Sequence, residues 1–338
     1  MKAVCIEKPW SVGVKEVERV EPNYEESVIK VHAAGICGSD IGAFRGTNNI
    51  VSYPRIIGHE IAGEVISVGT KNPNNIKVGD RVVIDPYTYC GHCYPCSLGK
   101  TNCCRNIKVR GVHIDGGMCE YFTHYTDMLV KIPDGLDWEK AALAEPLTIA
   151  LHAIHRLNLK KGEHIVVFGA GTIGLLVAMA SLAYEAVPII VDIVDERLAL
   201  AKSIGVKYTI NPKRDNTEQK VAEITHDAYA ECVCEASGAS ASIRAAFDVV
   251  CHAGRVAFTG YPKGETTLPT DIITKKELDV LGTRNSRGDF QEALELIASK
   301  KVDVEKIITK VVSVDEAPDT LRDIEKNPGN YLKVVVRF

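Results

Sequence analysis

Two stretches of the 338-residue chain carry residue types at spacings that imply chemistry. In the first, Cys90, Cys93, Cys96 and Cys104 put four thiols within fifteen residues, among Gly91, Pro95 and Gly99, which let the backbone wrap an ion. Four thiolates closing a tetrahedron describe a structural zinc site with no open position. A lobe of that kind folds around its metal rather than around an apolar core. Cys103 is a spare neighbour, and the spacing selects Cys104 as the fourth ligand. In the second, Gly169-Ala170-Gly171-Thr172-Ile173-Gly174 follows a strand-like apolar run and opens a helix-like one, with Asp192 at the end of the next strand-like run. That context marks a dinucleotide site. The first glycine makes a tight turn, the second admits the pyrophosphate to the backbone, and the third lets helix and strand pack closely. Unpaired N–H groups at the helix N-terminus then face the phosphates. Asp192 suits both ribose hydroxyls, and Ile193 and Val194 after it offer no cation to a 2′-phosphate, so NAD is favoured over NADP. The expected cofactor set is Gly169, Gly171, Thr172, Ile173, Gly174, Asp192 and Arg197, with Asp195 rather than Asp192 capping the next helix.

These residues need a scaffold. From about Gly162 the sequence alternates strand and helix, the mark of a parallel sheet with crossover helices. Strands are expected at 165–168, 188–192, 208–210, 232–235, 256–259 and 280–282, and helices at 172–183, 195–204, 217–225 and 241–251. Six strands with helices between them make a doubly wound α/β domain, assigned to 146–282. Before it, short runs at 27–31, 61–68 and 81–84 are divided by Gly, Pro, Asn and Asp, the punctuation of turns. After Thr283, the apolar Phe290, Ala293, Leu294 and Ile297 recur at helical spacing, and 331–338 alternates toward a closing strand. Residues 1–145 are therefore expected to form a β-rich domain completed by 283–338.

Composition narrows the partners. Forty Lys and Arg against 44 Asp and Glu give a net charge of −4, which supplies no field to attract nucleic acid or an anionic membrane. The 11 cysteines are an odd number, and the opening MKAVCIEKPW lacks the apolar stretch of a secretory signal. Both point to a reducing, cytoplasmic setting, where close cysteines are metal ligands before they are disulfides. Residues 165–184 are uncharged and long enough to cross a bilayer. Glycines at motif spacing and a β-branched start read them instead as a strand and a helix buried on both sides.

Other chemistry-bearing residues are dispersed: Cys37 in GICGSD (35–40), the pair His59 and Glu60, and Glu145 before Pro146. Spacing does not join them. Taken singly, a His or Cys is usually a satisfied core residue, and Glu145 could cap a helix. Their order, together with GDRV (79–82), the four-cysteine lobe, DGG (115–117) and GAGTIG (169–174), resembles the zinc-dependent medium-chain alcohol dehydrogenase family from end to end, in its polyol and sugar-acid branch. The resemblance implies a GroES-like catalytic domain with a structural zinc lobe, and a doubly wound parallel-sheet (Rossmann) domain for NAD. It implies that Cys37 and His59 bind a catalytic zinc, with Glu60 and Glu145 as exchangeable carboxylate ligands, which leaves the open position such a site requires. Ser39 resembles the family's proton-passing hydroxyl; its other reading is a turn serine. Glu at 145, where liver-type enzymes carry a second cysteine, resembles sorbitol, threonine and hexonate dehydrogenases instead.

The segments SYPR (52–55), TNCC (101–104), GVHIDGG (111–117) and GTRN (282–285) look most like dehydrogenases that oxidise C5 of hexonates, converting L-gulonate to D-fructuronate or L-galactonate to D-tagaturonate. A sugar acid needs a cation, and Arg offers a bidentate fork. Arg284 is the first candidate, then Arg55 and Arg45, with His113 for a substrate hydroxyl; each also has an ordinary reading as an ion-paired or surface residue. Neutral polyol (sorbitol-type) and L-threonine dehydrogenases share the zinc motifs. A nucleotide-sensing regulatory protein would keep the fold without turnover. The resemblance also implies a homodimer or homotetramer, with strands near 278–282 pairing between subunits.

Overall fold

The computed structural model describes every residue from Met1 to Phe338 except Val20 and Lys263. The chain divides into two compact units, one of Met1–Glu145, Phe290–Ala298 and Val304–Phe338, the other of Pro146–Asp289 and Ser299–Asp303.

The second unit is built on a six-stranded sheet in the order Tyr208–Ile210, Val187–Val191, His164–Phe168, Ala230–Glu235, Val250–Phe258, Asp279–Gly282, parallel throughout. Strand order reverses between His164–Phe168 and Ala230–Glu235, and in such sheets ligands bind beyond the carboxyl ends of the strands at that reversal. The uncharged run at 165–184 is the strand His164–Phe168 followed by the helix Thr172–Ala183, with 174–181 buried without exception. No helix among the described residues is long and apolar enough to cross a membrane. The helices Thr172–Ala183 and Thr217–Thr225 have the bounds read from the sequence. The strand expected at 256–259 begins instead at Val250, because the buried Val250 pairs with Ala230, and sheet pairing wins over one more helical turn. The helix Thr270–Lys276 was not expected; none of its residues is buried, so it has no apolar stripe to announce it.

In the first unit a seven-stranded mixed sheet runs Leu129–Lys131, Arg81–Ile84, Glu60–Ser67, Glu26–Ile36, Lys333–Arg337, Ile308–Ser313, and Tyr121–Tyr125 pairs with the early part of Glu26–Ile36. A hairpin of Lys2–Lys8 and Ser11–Glu16, absent from the sequence reading, pairs with the short strand Arg55–Ile56. Ile6, Ile29, Ile57, Ile61, Ile84 and Leu129 are completely or almost completely buried between these layers. The Phe290–Ala298 helix buries Phe290, Ala293, Leu294 and Ile297, the stripe its spacing announced. Two facts of register prepare the site. Gly35 lies opposite Glu60, and Ile36 lies opposite Val334 of the closing strand. Three strand ends therefore meet beside Cys37.

Candidate functional site

Cys37 follows the longest strand, Glu26–Ile36, and caps the helix Gly38–Arg45. Its N–H donates to the Asp40 carboxylate at 2.8 Å, and the Asp40 N–H donates to the Cys37 carbonyl at 3.0 Å, so the turn is fixed from both sides. With Glu60 held opposite Gly35, the Cys37 Sγ, a His59 ring nitrogen and a Glu60 carboxylate oxygen come within 4.8 Å of one another. Glu145 lies in the first turn of the helix Ala144–Leu157, is buried, and accepts a hydrogen bond from the Tyr87 phenol. Burial works against a charged His59, but the Cys37 sulfur, Asp40 and Glu145 outweigh it and hold the imidazole well above its usual pKa. Burial likewise lifts the carboxyls of Asp40 and Glu145. It lifts the Tyr87 phenol well above the ordinary range, with the Glu145 charge adding to it, which keeps Tyr87 a donor. Anions gathered around one buried imidazole are the electrostatics of a cation site. His59 Nδ1, Asp40 Oδ1 and Ser39 Oγ are buried there without a protein hydrogen-bond partner. The thiolate, the orphaned imidazole nitrogen and the carboxylates fit the mixed sulfur, nitrogen and oxygen donor set of a catalytic zinc.

Two side chains that pack against these residues escaped the sequence reading. The Lys333 ammonium lies 2.5 and 2.7 Å from the two Glu60 oxygens and donates to the Ile36 carbonyl at 3.1 Å. Its signal was a cation inside the otherwise apolar run Leu332 to Val336. Tyr87, from the short strand Tyr87–Thr88, carried no pattern linking it to Glu145, 58 positions on.

The four-cysteine lobe gathers Cys90, Cys93, Cys96 and Cys104. Their sulfurs stand 3.5 Å apart for Cys93 to Cys96 and Cys104 to Cys90, and 3.8 Å for Cys93 to Cys104. A tetrahedron of Zn–S bonds of about 2.3 Å needs sulfurs about 3.8 Å apart. The N–H groups of Cys90 and Asn106 each point at the Cys104 sulfur at 3.3 Å, and backbone N–H groups of Arg105 and Cys96 draw the Cys93 thiol below its usual range. Cys104 is buried in the lobe and Cys103 is exposed.

In the second unit each fingerprint glycine has its own geometric reason. Gly169 takes φ +98° in the tight turn after the strand, and a Cβ on Gly174 would lie 1.8 Å from the Gly169 carbonyl oxygen. A Cβ on Gly171, the N-cap of the following helix, would meet nothing within 4 Å, so open space lies before that N-terminus, with Thr172 and Ile173 in its first turn. The Asp192 carboxylate braces this turn, accepting from the N–H of Ala170 at 2.6 Å and of Val194 at 2.8 Å. Asp195 is not the cap expected of it. It is the first helical residue, and its carboxylate accepts from Asn211 at 2.9 Å and pairs with Arg214 at 2.8 Å. Arg197 follows on the same helix, its Nε buried without a partner.

Arg45 pairs with Glu325, and Arg55 with Asp115 at 2.9 Å and with the Ser52 hydroxyl at 2.6 Å, so both guanidinium groups are engaged within the first unit. His113 Nδ1 accepts from the Val109 N–H at 3.1 Å. Arg284 follows the last strand of the second unit.

Residues 23–134 match the model of the alcohol dehydrogenase GroES-like domain, and 172–299 that of the zinc-binding dehydrogenases. The chain is 52% identical over 338 residues to an uncharacterized zinc-type alcohol dehydrogenase-like protein of Haemophilus influenzae, covering 100% of this chain and 99% of that one. It is 32% identical both to the sorbitol dehydrogenase of Bacillus subtilis, over 99% of this chain and 97% of the relative, and to the L-galactonate-5-dehydrogenase of Escherichia coli, over 100% and 99%. Among solved structures, an alcohol dehydrogenase of Escherichia coli CFT073 complexed with NADH superposes with a TM-score of 0.93 at 32% identity, covering 100% of this chain and 99% of that one. With two domain models matched in order and relatives aligned over essentially the whole length, the chain belongs to the zinc-dependent medium-chain alcohol dehydrogenase family.

Proposed function

We propose that the protein is an NAD-dependent zinc alcohol dehydrogenase that oxidises the C5 secondary alcohol of a hexonate, L-gulonate or L-galactonate. The observation that carries the reading is the meeting of half-buried Cys37 with buried His59 and Glu60, with Glu145 near enough to help raise the pKa of the same imidazole. Cys37, His59 and the two carboxylates would hold the catalytic zinc, Cys90, Cys93, Cys96 and Cys104 the structural one, and the fingerprint with Asp192 and Arg197 the NAD. Once bound, the zinc supplies the charge that lowers the pKa of a coordinated hydroxyl, from about 16 to about 7 for water, and NAD the hydride acceptor. The chain's own residues do the rest. Ser39 would take up the proton that leaves the alcohol while passing its own hydroxyl proton toward the cofactor ribose, a role supported by its Oγ, two residues past Cys37, being buried without a protein hydrogen-bond partner. The depth of His59 and Glu60 keeps bulk water from the reacting carbon.

The sugar-acid assignment draws on Arg284 and on the likeness to L-galactonate-5-dehydrogenase. A neutral polyol is the second reading, favoured by the ion pairs that occupy Arg45 and Arg55 and by the equal likeness to sorbitol dehydrogenase. NADH formation by zinc-replete protein on hexonates, hexitols and L-threonine, beside a chelator-treated control, separates them. Chelator-sensitive turnover of L-gulonate or L-galactonate, with Arg284→Ala raising KM for the acid far more than for sorbitol, supports the first. Preference for hexitols removes it, and silence across the panel with NADH still bound favours a nucleotide-sensing role.

A further inference from the structure

Three side chains of the second unit, none of them part of the two zinc sites or the nucleotide turn, make a separate cluster. His152 and His155 stand three residues apart on the helix Ala144–Leu157 and so share one of its faces. The Asp289 carboxylate faces both rings, with Oδ1 2.9 Å from His155 Nδ1 and Oδ2 3.8 Å from His152 Nδ1. It is held in place by the Arg287 N–H, which donates to Oδ2 at 2.9 Å. The other ring nitrogen of His155 lies 2.9 Å from the hydroxyl of Tyr184, the residue that ends the helix Thr172–Ala183.

These spacings are those of metal ligands. Donors bound at about 2.0–2.1 Å to a tetrahedral zinc stand about 3.4 Å from one another. The separations of 2.9 and 3.8 Å fall on either side of that value, so small movements bring the three donors onto one ion. Two imidazoles with a carboxylate select zinc, copper or nickel over magnesium and calcium, which take oxygen. His152 and Asp289 are 12% and 8% exposed and so are held in advance, while His155, at 38%, gives an ion a way in. Burial lowers the pKa of His152 and keeps the ring neutral, the form that binds metal. With Nδ1 of His155 on the ion, the ring's one N–H sits on Nε2 and donates to the Tyr184 oxygen, the kind of outer partner that orients a ligating imidazole. Arg156 and Arg287 lend positive charge to the same place, which weakens the hold on a cation and makes the site one that exchanges its ion. We propose that His152, His155 and Asp289 form a further metal site, for a divalent transition ion such as zinc, with the fourth position left to water.

The test uses the full-length protein, dialysed until its zinc content is constant and then titrated with zinc chloride by isothermal titration calorimetry. The wild type should take up one further ion per chain. Asp289→Asn keeps an acceptor for the Arg287 N–H but removes the charge, and it should abolish that uptake. His155→Gln removes one donor at a partly exposed position and should abolish it too; it carries the test if Asp289→Asn does not fold. Tyr184→Phe leaves all three donors in place and should weaken the binding about tenfold, the lower end of what losing an outer partner costs. A wild type that takes up no further zinc would overturn the proposal. So would uptake that persists unchanged in Asp289→Asn and His155→Gln, since it would belong to other groups on the surface. Either result leaves the dehydrogenase reading standing, because none of these residues belongs to its site.

Discussion

Replacing Gly174 and Gly171 by alanine separates what the nucleotide turn does for the fold from what it does for the cofactor. A Cβ at Gly174 would sit 1.8 Å from the Gly169 carbonyl oxygen, whereas carbon and oxygen rest no closer than about 3.3 Å. The deficit is about 1.5 Å, and a backbone oxygen cannot swing aside as a side chain can. The helix Thr172–Ala183 cannot back away cheaply either, because 174–181 are all buried. Overpacking of this kind costs about 3 kcal/mol, the upper part of the usual range. In a unit of this size that lowers the melting temperature by about 6–12 °C. Gly171 is the converse. Its φ of −75° is open to alanine and a Cβ there meets nothing, so Gly171→Ala should cost no more than about 1 kcal/mol, the price of a poorer N-cap. The methyl would occupy the space the pyrophosphate needs, and NADH should bind at least tenfold more weakly, about 1.4 kcal/mol. Differential scanning fluorimetry and NADH titration read both variants. A Gly174→Ala variant that melts like the wild type, or a Gly171→Ala variant that binds NADH unchanged, would refute these separate roles for the two glycines.

Three further expectations concern separate parts of the molecule. Cys96→Ser should remove one zinc per chain by elemental analysis and make the 90–104 lobe the first site of proteolysis; an unchanged metal content would exclude that cysteine as a ligand. Tyr87→Phe removes the donor to Glu145 and should lower kcat about tenfold with zinc retained, as metal and rate measured on the same sample will show. His124 is completely buried and its pKa is drawn down to about 3, by burial first and then by Arg110. A group depressed on folding contributes fully above its unfolded pKa of about 6.5 and loses that contribution as pH falls toward the folded value. Between pH 6.5 and 5.5 the wild type should therefore lose about 1 kcal/mol more than His124→Gln in urea unfolding.

What the sequence disclosed depended on how local the determinant was. The helix Thr172–Ala183, the tight turn at Gly169, the close packing at Gly174 and the gathering of the four cysteines are set by neighbours along the chain, and spacing alone was enough to read them. Cys37 and His59 are joined only by the register that puts Gly35 opposite Glu60, so pattern could not connect them and resemblance did. Lys333 lies 273 positions from its partner, in a strand whose apolar alternation hid a buried cation. Arg45 and Arg55 looked available because nothing in the sequence announces that Glu325 and Asp115 will claim them. The Val250–Phe258 strand was read short because pairing with Ala230, not local propensity, sets its start.

The same separation of 273 positions sets a schedule for biosynthesis. At about 5–20 residues per second, a ribosome reaches Lys333 about 14–55 s after it has made Glu60. During that interval 146–289, the greater part of the second unit, is complete and free to fold, while the sheet that surrounds Cys37 still lacks its Lys333–Arg337 strand. The four-cysteine lobe closes within fifteen residues and can capture its ion as soon as it emerges. Cys37, His59 and Glu60 stay open until the chain returns, so, if both groups take metal ions as proposed, they would fill on different clocks.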